Sequence, residues 1–152
     1  LLSTQKVLQI YHETFLGKTQ PIGFMWGTFD LRDARYNGVY VEPTGANAGY
    51  LRRNAMNEAL IEAGWWSGNV MYPRAAYYSF TYPQPAGIEQ AKIKPSAAHW
   101  DAKMGEFILD YDAMRESANP AAELLAFLES TYQAAVDYGN WDSKLMGPGR
   151  PV

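Results

Sequence analysis

The chain has no cysteine. That excludes disulfides, thiolate metal sites and a cysteine nucleophile, and it fits a cytoplasmic protein. There are two histidines, His12 and His99, so any zinc site would have to complete its shell with carboxylates. His12 and Glu13 are adjacent on a predicted helix and point about 100° apart, which keeps them from sharing one ion. The bland readings are a solvated helix position for His12 and a partly buried ring beside Trp100 for His99. No metal and no cofactor is expected. Strong positive charge is absent too: the net charge is −3, and Arg52-Arg53 is the lone basic doublet. Nucleic acid, which needs a basic patch to track phosphates, is not an expected partner. No apolar run approaches the ~20 residues that span a bilayer, so no membrane partner is expected. The chain also lacks a Gly-x-Gly-x-x-Gly phosphate loop in strand–helix context, a Gly-x-x-x-x-Gly-Lys-Ser/Thr loop, a His-Glu-x-x-His pair and a Gly-x-Ser-x-Gly elbow.

What is present is a globular composition, with 47% apolar and 19% charged residues in 152. This is enough for one domain with a sizeable core. We expect a domain over residues 1–146 and a flexible Gly/Pro tail over 147–152. The chain starts at Leu1, inside a helical pattern, as a piece of a longer protein would.

Aromatic residues cluster in blocks that also carry charge. Residues 21–38 read Pro-Ile-Gly-Phe-Met-Trp-Gly-Thr-Phe-Asp-Leu-Arg-Asp-Ala-Arg-Tyr-Asn-Gly. Gly64-Trp65-Trp66-Ser67-Gly68, Tyr77-Tyr78-Ser79-Phe80-Thr81-Tyr82-Pro83 and Gly105-Glu106-Phe107-Ile108-Leu109 follow.

Periodicity predicts a helix over 2–16, from Leu8, Tyr11 and Phe15. A strand is predicted over 21–31, with Gly23 and Gly27 blurring its alternation, then a turn at Asn37-Gly38 and a short strand at Val39–Val41. Residues 42–49 read as a loop. Residues 50–63 read as a second helix, with Leu51, Ala55, Ala59 and Ala63 along one stripe and Gly64 as its stop. Residues 74–82 and 105–110 read as strands, 96–104 fit either a helical turn or a strand, and 111–117 read as a short helix capped by Asp110 or Asp112. The last helix has Asn119 as cap, Pro120 at its first position and a stripe of Leu124, Leu128, Tyr132 and Ala135, widened by Phe127; Gly139-Asn140 ends it. Helices and strands without regular alternation predict an α+β fold: a small, mostly antiparallel sheet with helices packed on one face. Its other face is then solvated or covered by a missing segment.

Two carboxylates are catalytic candidates. Glu106 opens an apolar strand, where burial would raise its pKa and suit it to general acid or base work. Asp30 sits with Arg32, Asp33 and Arg35 after the first predicted strand, where Arg35 could grip an anion in a bidentate fork or pair locally with Asp30 or Asp33. An outward-facing or arginine-paired Glu106 is the plainer alternative. Trp26, Arg35, Trp66, Tyr78 and Tyr82 are the ligand-binding candidates, although rings fill cores more often than clefts. Trp65 and Trp66 are neighbours that do not easily face the same way.

The Phe-x-Trp-Gly-Thr-Phe-Asp-Leu core of residues 21–38 resembles one block of a largely bacterial family, domain-of-unknown-function family 5996. Ala63–Gly68, Tyr78–Gly87, Gly105–Asp112 and the Leu124–Trp141 ending resemble its other blocks, in the same order. Trp65-Trp66-Ser67 departs from a Phe-Trp-Pro pattern, and Asp110 stands where proline is common. Family members are about twice this length, so the resemblance implies that this chain is a C-terminal half. It implies no activity, substrate or cofactor.

The expected function is a small-molecule binding or structural module with an aromatic-lined cleft. A second copy of the chain, or a missing N-terminal half, would be the partner that covers an open face. One alternative is an enzyme, a hydrolase or transferase on a small molecule, using Glu106 or Asp30 with Arg35. Another is a binder that stacks sugars or aromatic rings on Trp66 or Trp26.

Overall fold

The computed structural model describes residues 1–43 and 56–147. Its centre is one six-stranded sheet, every neighbouring pair antiparallel, in the order β1-β2-β3-β4-β6-β5. The strands are β1 (Lys18–Met25), β2 (Asp30–Tyr40), β3 (Glu58–Trp66), β4 (Ala76–Tyr82), β5 (His99–Asp101) and β6 (Glu106–Asp110). Three α-helices, α1 (Leu2–His12), α2 (Tyr111–Arg115) and α3 (Pro120–Gly139), complete the described residues together with two short 3-10 turns. The fold is α+β. Among the described residues, no helix is long and apolar enough to cross a membrane.

The helices share one face of the sheet. Val7, Leu8 and Tyr11 of α1, Met114 of α2, and Leu124, Phe127, Leu128, Tyr132 and Ala135 of α3 are buried in one cluster with Leu31, Ile61, Ala63, Tyr77, Phe107 and Leu109 of the strands. The α3 stripe forms as its spacing predicts. Asn119 accepts a bond from the Ala122 amide at 3.2 Å, Pro120 occupies the first turn, and Asn140 closes the helix in the left-handed region. Such a cap is worth about 1 kcal/mol.

The predicted strand over 21–31 is two strands and their turn. β1 ends at Met25, which pairs with Asp30. Residues 26–29 make the hairpin connection, with the Phe29 amide bonded to the Met25 carbonyl and Phe29 at φ 59°. The aromatic run hides this turn from pattern reading. Phe24 holds Phe29 and Trp26 edge-on at 4.8 and 5.8 Å, so the rings brace the hairpin rather than fill one strand face.

Asn37-Gly38 is a bulge within β2, not a turn. Register shifts between Tyr36↔Leu60 and Tyr40↔Glu58, with Gly38 at φ 79°. Side chains satisfy the amides that the bulge frees: Gly38 N–H donates to Glu58 Oε1 and Val39 N–H to Asn37 Oδ1, both at 3.0 Å. Val39 and Tyr40 therefore end β2 instead of forming a strand of their own.

The predicted second helix is overturned where it can be followed. Residues 44–55, with most of the predicted loop and the first part of that helix, lie outside the described residues; from Glu58 the chain is β3. Alanines at 59 and 63 mimic a helical stripe. Alternation is the true signal: Ile61, Ala63 and Trp65 face the helices, while Leu60, Glu62 and Trp66 face away. Gly64 is not a helix stop but a mid-strand residue at a close approach, since a Cβ there would lie 2.2 Å from the Leu31 carbonyl oxygen.

The first helix is shorter than predicted. It ends at His12, and Phe15 pairs instead with Met146 in an isolated bridge. Of the residues assigned to the tail, Gly147 donates its amide to the Thr14 carbonyl at 2.8 Å, and 148–152 lie outside the described residues. The ambiguous 96–104 segment resolves into β5 and a turn, while 74–82 and 105–110 are strands as expected. Asp110 precedes α2, but its carboxylate bonds the Tyr72 hydroxyl and Arg74 rather than capping the helix.

Candidate functional site

Strand alternation sorts the charged residues of β2 between two environments. Asp33 and Arg35 point under the helices; Asp30 and Arg32 point to the open face. Arg35, a candidate anion clamp, is 0% exposed. Its guanidinium lies 3.4 Å from the Tyr11 ring centroid and 4.8 Å from that of Tyr132. It also donates to the Tyr11 carbonyl and faces Asp33 Oδ2 from Nε at 3.6 Å. This is an aromatic cage closed on the protein's own arginine. The local partner is Asp33, not Asp30. His12 is no solvated helix residue, because its Nδ1 lies 2.5 Å from Asp33 Oδ1 and ties α1 to β2. His99 is exposed rather than partly buried.

The open face carries a pocket of about 500 Å³. Its strand floor supplies Asp30 from β2, Glu62 and Trp66 from β3, Tyr78 and Phe80 from β4, and Glu106 from β6. The segment after β3 adds Asn69, Met71 and Tyr72; Thr28 enters from the β1–β2 turn. Asp101, Lys103 and Met104 close the β5–β6 side. Trp66 and Tyr72 lie with ring centroids 6.2 Å apart, and Phe80 stacks beside Tyr78 at 6.4 Å.

Tyr78 organises the floor. Its hydroxyl lies 2.6 Å from Asp30 Oδ2 and 3.2 Å from Glu62 Oε1, so one phenol proton serves two carboxylates. To reach Asp30, the ring must extend from β4 across β3, whose residue paired with Tyr78 is Gly64. A Cβ at 64 would meet the β2 backbone, 2.2 Å from the Leu31 carbonyl oxygen and 3.0 Å from Arg32 Cα, so glycine there lets β2 and β3 approach closely. Asp30 also accepts from the Thr28 hydroxyl. Glu62 is paired with Arg32 Nη1 at 2.5 Å, and Arg32 is held from the other side by Gln20 Oε1 at 2.7 Å.

The protonation pattern follows from burial. Loss of solvent raises the Glu62 pKa, against the opposing pull of Arg32. Tyr78 is pushed up, first by burial and then by Glu62 and Asp30, so it stays a neutral donor. Glu106 is pushed up to about 7, mainly by burial, with Glu62, Asp101 and Asp30 adding like-charge repulsion. Among the described residues, no hydrogen bond reaches its carboxyl. Asp101 moves the other way, because backbone amides of Met104 and Lys103 stabilise its charged form.

Of the sequence candidates, Asp30, Glu106, Trp66 and Tyr78 meet in this pocket. Arg35 lies on the opposite face. Trp26 is 84% exposed at the hairpin tip and does not line the pocket. Tyr82 packs on Ala34, Tyr36 and Leu60 at another part of the open face. Sequence reasoning missed Glu62, Tyr72 and Asp101, and named Arg32 beside Asp30 without giving it a role. Glu62 was hidden by the helical reading of 50–63; the alternation Leu60-Glu62-Gly64-Trp66 would have found it. Among the described residues, no group of three or more metal-ligating side chains is placed to hold an ion.

Fold and site together define an α+β protein whose sheet is covered by helices on one side and hollowed into an acidic, aromatic pocket on the other. A family of unknown function, DUF5996, matches residues 1–147, and the chain belongs to it. No curated protein and no solved structure matches the chain.

Proposed function

We propose that the protein binds a small organic molecule in the open-face pocket. One observation carries this reading: Glu106, half-buried and without a hydrogen bond among the described residues, faces a concavity walled by Trp66, Tyr72 and Phe80. Pockets of this volume, mostly apolar with a few convergent polar groups, are the usual form of a small-molecule site. A half-buried carboxyl whose pKa is pushed up by lost solvent has open hydrogen-bonding capacity toward the concavity, which fits a ligand that completes it. The absence of cysteine fits a cytoplasmic setting, and the family resemblance fits a bacterial one.

Native mass spectrometry of gently purified protein tests the proposal. We expect extra mass that disappears on denaturation. Bare protein, together with no pocket response in a screen of small metabolites, would sink it.

Catalysis is the second reading, favoured by Glu106 and Asp30 facing the same pocket and by a carboxyl that titrates near neutrality. Such a group exchanges protons efficiently at physiological pH. The chemistry would use Glu106 as acid or base with Tyr78 and Asp30 beside it. Arg35 has no part in it. Turnover of any bound metabolite, lost in Glu106→Gln with binding retained, would establish this version.

A further inference from the structure

Charge in the pocket is lopsided. Asp30, Glu62, Asp101 and Glu106 all line it, against Lys103 as the lining cation. Arg32 stands behind Glu62 and is already engaged by it and by Gln20. We infer that the ligand is an organic cation, a protonated amine or guanidinium carried on a flat apolar body. The inference rests on the pocket being a binding site, as proposed above.

Three features of the geometry select this chemistry. First, the groups facing Glu106 are mostly anions: Glu62 on β3, Asp30 on β2 and Asp101 on β5, with the phenols of Tyr78 and Tyr72 uncharged and Lys103 exposed at the rim. An anionic ligand would meet like charge, whereas an ammonium would supply N–H donors to a carboxyl that has none. A neutral hydroxyl could bond Glu106 but would leave the surplus charge uncompensated. Second, the walls are ring faces and thioethers, from Trp66, Tyr72, Phe80, Met71 and Met104. Ring faces attract cations, more strongly as solvent is excluded, and Tyr72 already carries the Arg74 guanidinium 4.9 Å from its ring centroid. Third, the same chain already binds a guanidinium this way on its other face, where Tyr11 and Tyr132 hold Arg35 beside Asp33.

Linkage sharpens the prediction. Glu106 holds a proton up to about pH 7 in the free protein, and a cation binds its charged form. Affinity should therefore rise between about pH 6 and about pH 8, where benzylamine itself stays protonated.

The experiment compares three probes of similar shape, namely benzylammonium, benzyl alcohol and benzoate, by calorimetry and by NMR shifts of pocket residues. We expect benzylammonium to bind at least about tenfold more tightly than benzyl alcohol, a difference of ~1.4 kcal/mol, with benzoate weakest. Glu106→Gln should cut that preference and flatten its pH dependence. The wild-type pH profile reads Glu106 together with Glu62, whose pKa burial also raises, and the variant assigns the share of Glu106. Equal binding of benzylammonium and benzyl alcohol in the pocket overturns the cation assignment while leaving the binding site intact. A pH-independent preference for the cation overturns the role of Glu106. Silence of all three probes at the pocket overturns the inference together with the reading beneath it.

Discussion

The two faces of the sheet carry similar charges and treat them in opposite ways. Under the helices, Asp33 and Arg35 are sealed among Tyr11, Phe15 and Tyr132, with the arginine caged by rings and partly exposed His12 at the edge of the pair. On the open face, Asp30, Glu62 and Glu106 crowd together with Arg32 as the compensating arginine. One face pairs its charges internally, Asp33 with Arg35 and His12, and that serves stability even though Asp33 Oδ2 and Arg35 Nε face each other at 3.6 Å without a hydrogen bond. The other leaves a carboxyl without a donor and a concavity beside it, and that serves a ligand. A single strand feeds both: β2 sends one aspartate and one arginine to each side.

The comparison breaks most visibly at Arg35. Arg35→Ala would leave Asp33 buried with only His12 beside it, and would empty the ring cage. We expect a loss of about 3–5 kcal/mol, a large part of a domain's stability, read by urea unfolding. An unchanged midpoint would mean that the covered face is not held by this pair.

Gly64→Ala tests the connection between the faces. Its Cβ would meet the Leu31 carbonyl oxygen, part of the backbone, and the strands would have to shift. A cost of about 1–3 kcal/mol is expected in thermal unfolding. Ligand affinity should fall as well, because a shift of β2 against β3 would move Asp30 away from the Tyr78 hydroxyl. Full stability with normal affinity would show that the strands take up the methyl without moving Asp30 from Tyr78.

Glu106→Gln should act in the opposite direction to Arg35→Ala. The folded pKa of about 7 lies above the ordinary 4.5, so folding takes up a proton between those values. The stability tied to that proton is fully present below about pH 4.5 and is lost as pH rises through about 7. At about pH 8 the glutamine variant should therefore be more stable than wild type, by something on the order of 1–3 kcal/mol. The two should converge toward acid. A destabilised variant at about pH 8 would show that Glu106 has a partner in the folded protein.

The smallest effect belongs to Trp26→Ala. At 84% exposure the ring contributes little burial, and we expect a change within about 0.5 kcal/mol and no effect on the pocket. A clear loss of ligand affinity would move the site toward the hairpin tip.

Several elements could be read directly because their signals are local. Asn119, Pro120 and the Leu124–Leu128–Tyr132–Ala135 stripe define α3 from start to core. The Tyr/Phe run of β4 and the apolar run of β6 are equally plain. The failures share one cause. Aromatics on both sides of a tight turn disguised the β1–β2 hairpin, and alanines in β3 offered a helical period alongside the strand period. In both places the choice is made by neighbouring strands, which a local pattern does not contain. The same blindness explains the site. Glu106, Asp30, Trp66 and Tyr78 stood out as charged or aromatic residues in strand blocks, but Glu62 was lost with the misread β3, and Arg35 was given a role that its face forbids.

By itself, the sequence determined the class of fold, the long C-terminal helix, the Tyr/Phe-rich strand β4, the apolar strand β6 and part of the list of groups able to do chemistry. Those follow from propensity, capping and periodicity, which act over a few residues. Only the tertiary structure decided which groups meet. The pairing of β2 with β3 and of β3 with β4 sets Arg32, Gly64 and Tyr78 in one row, with Asp30 and Glu62 in the rows on either side of it and within reach of the Tyr78 hydroxyl. The one-residue alternation of β2 then hides Arg35 beneath α1 while leaving Arg32 beside the pocket. Register is a contact between distant segments, and a shift of one residue would exchange the two faces.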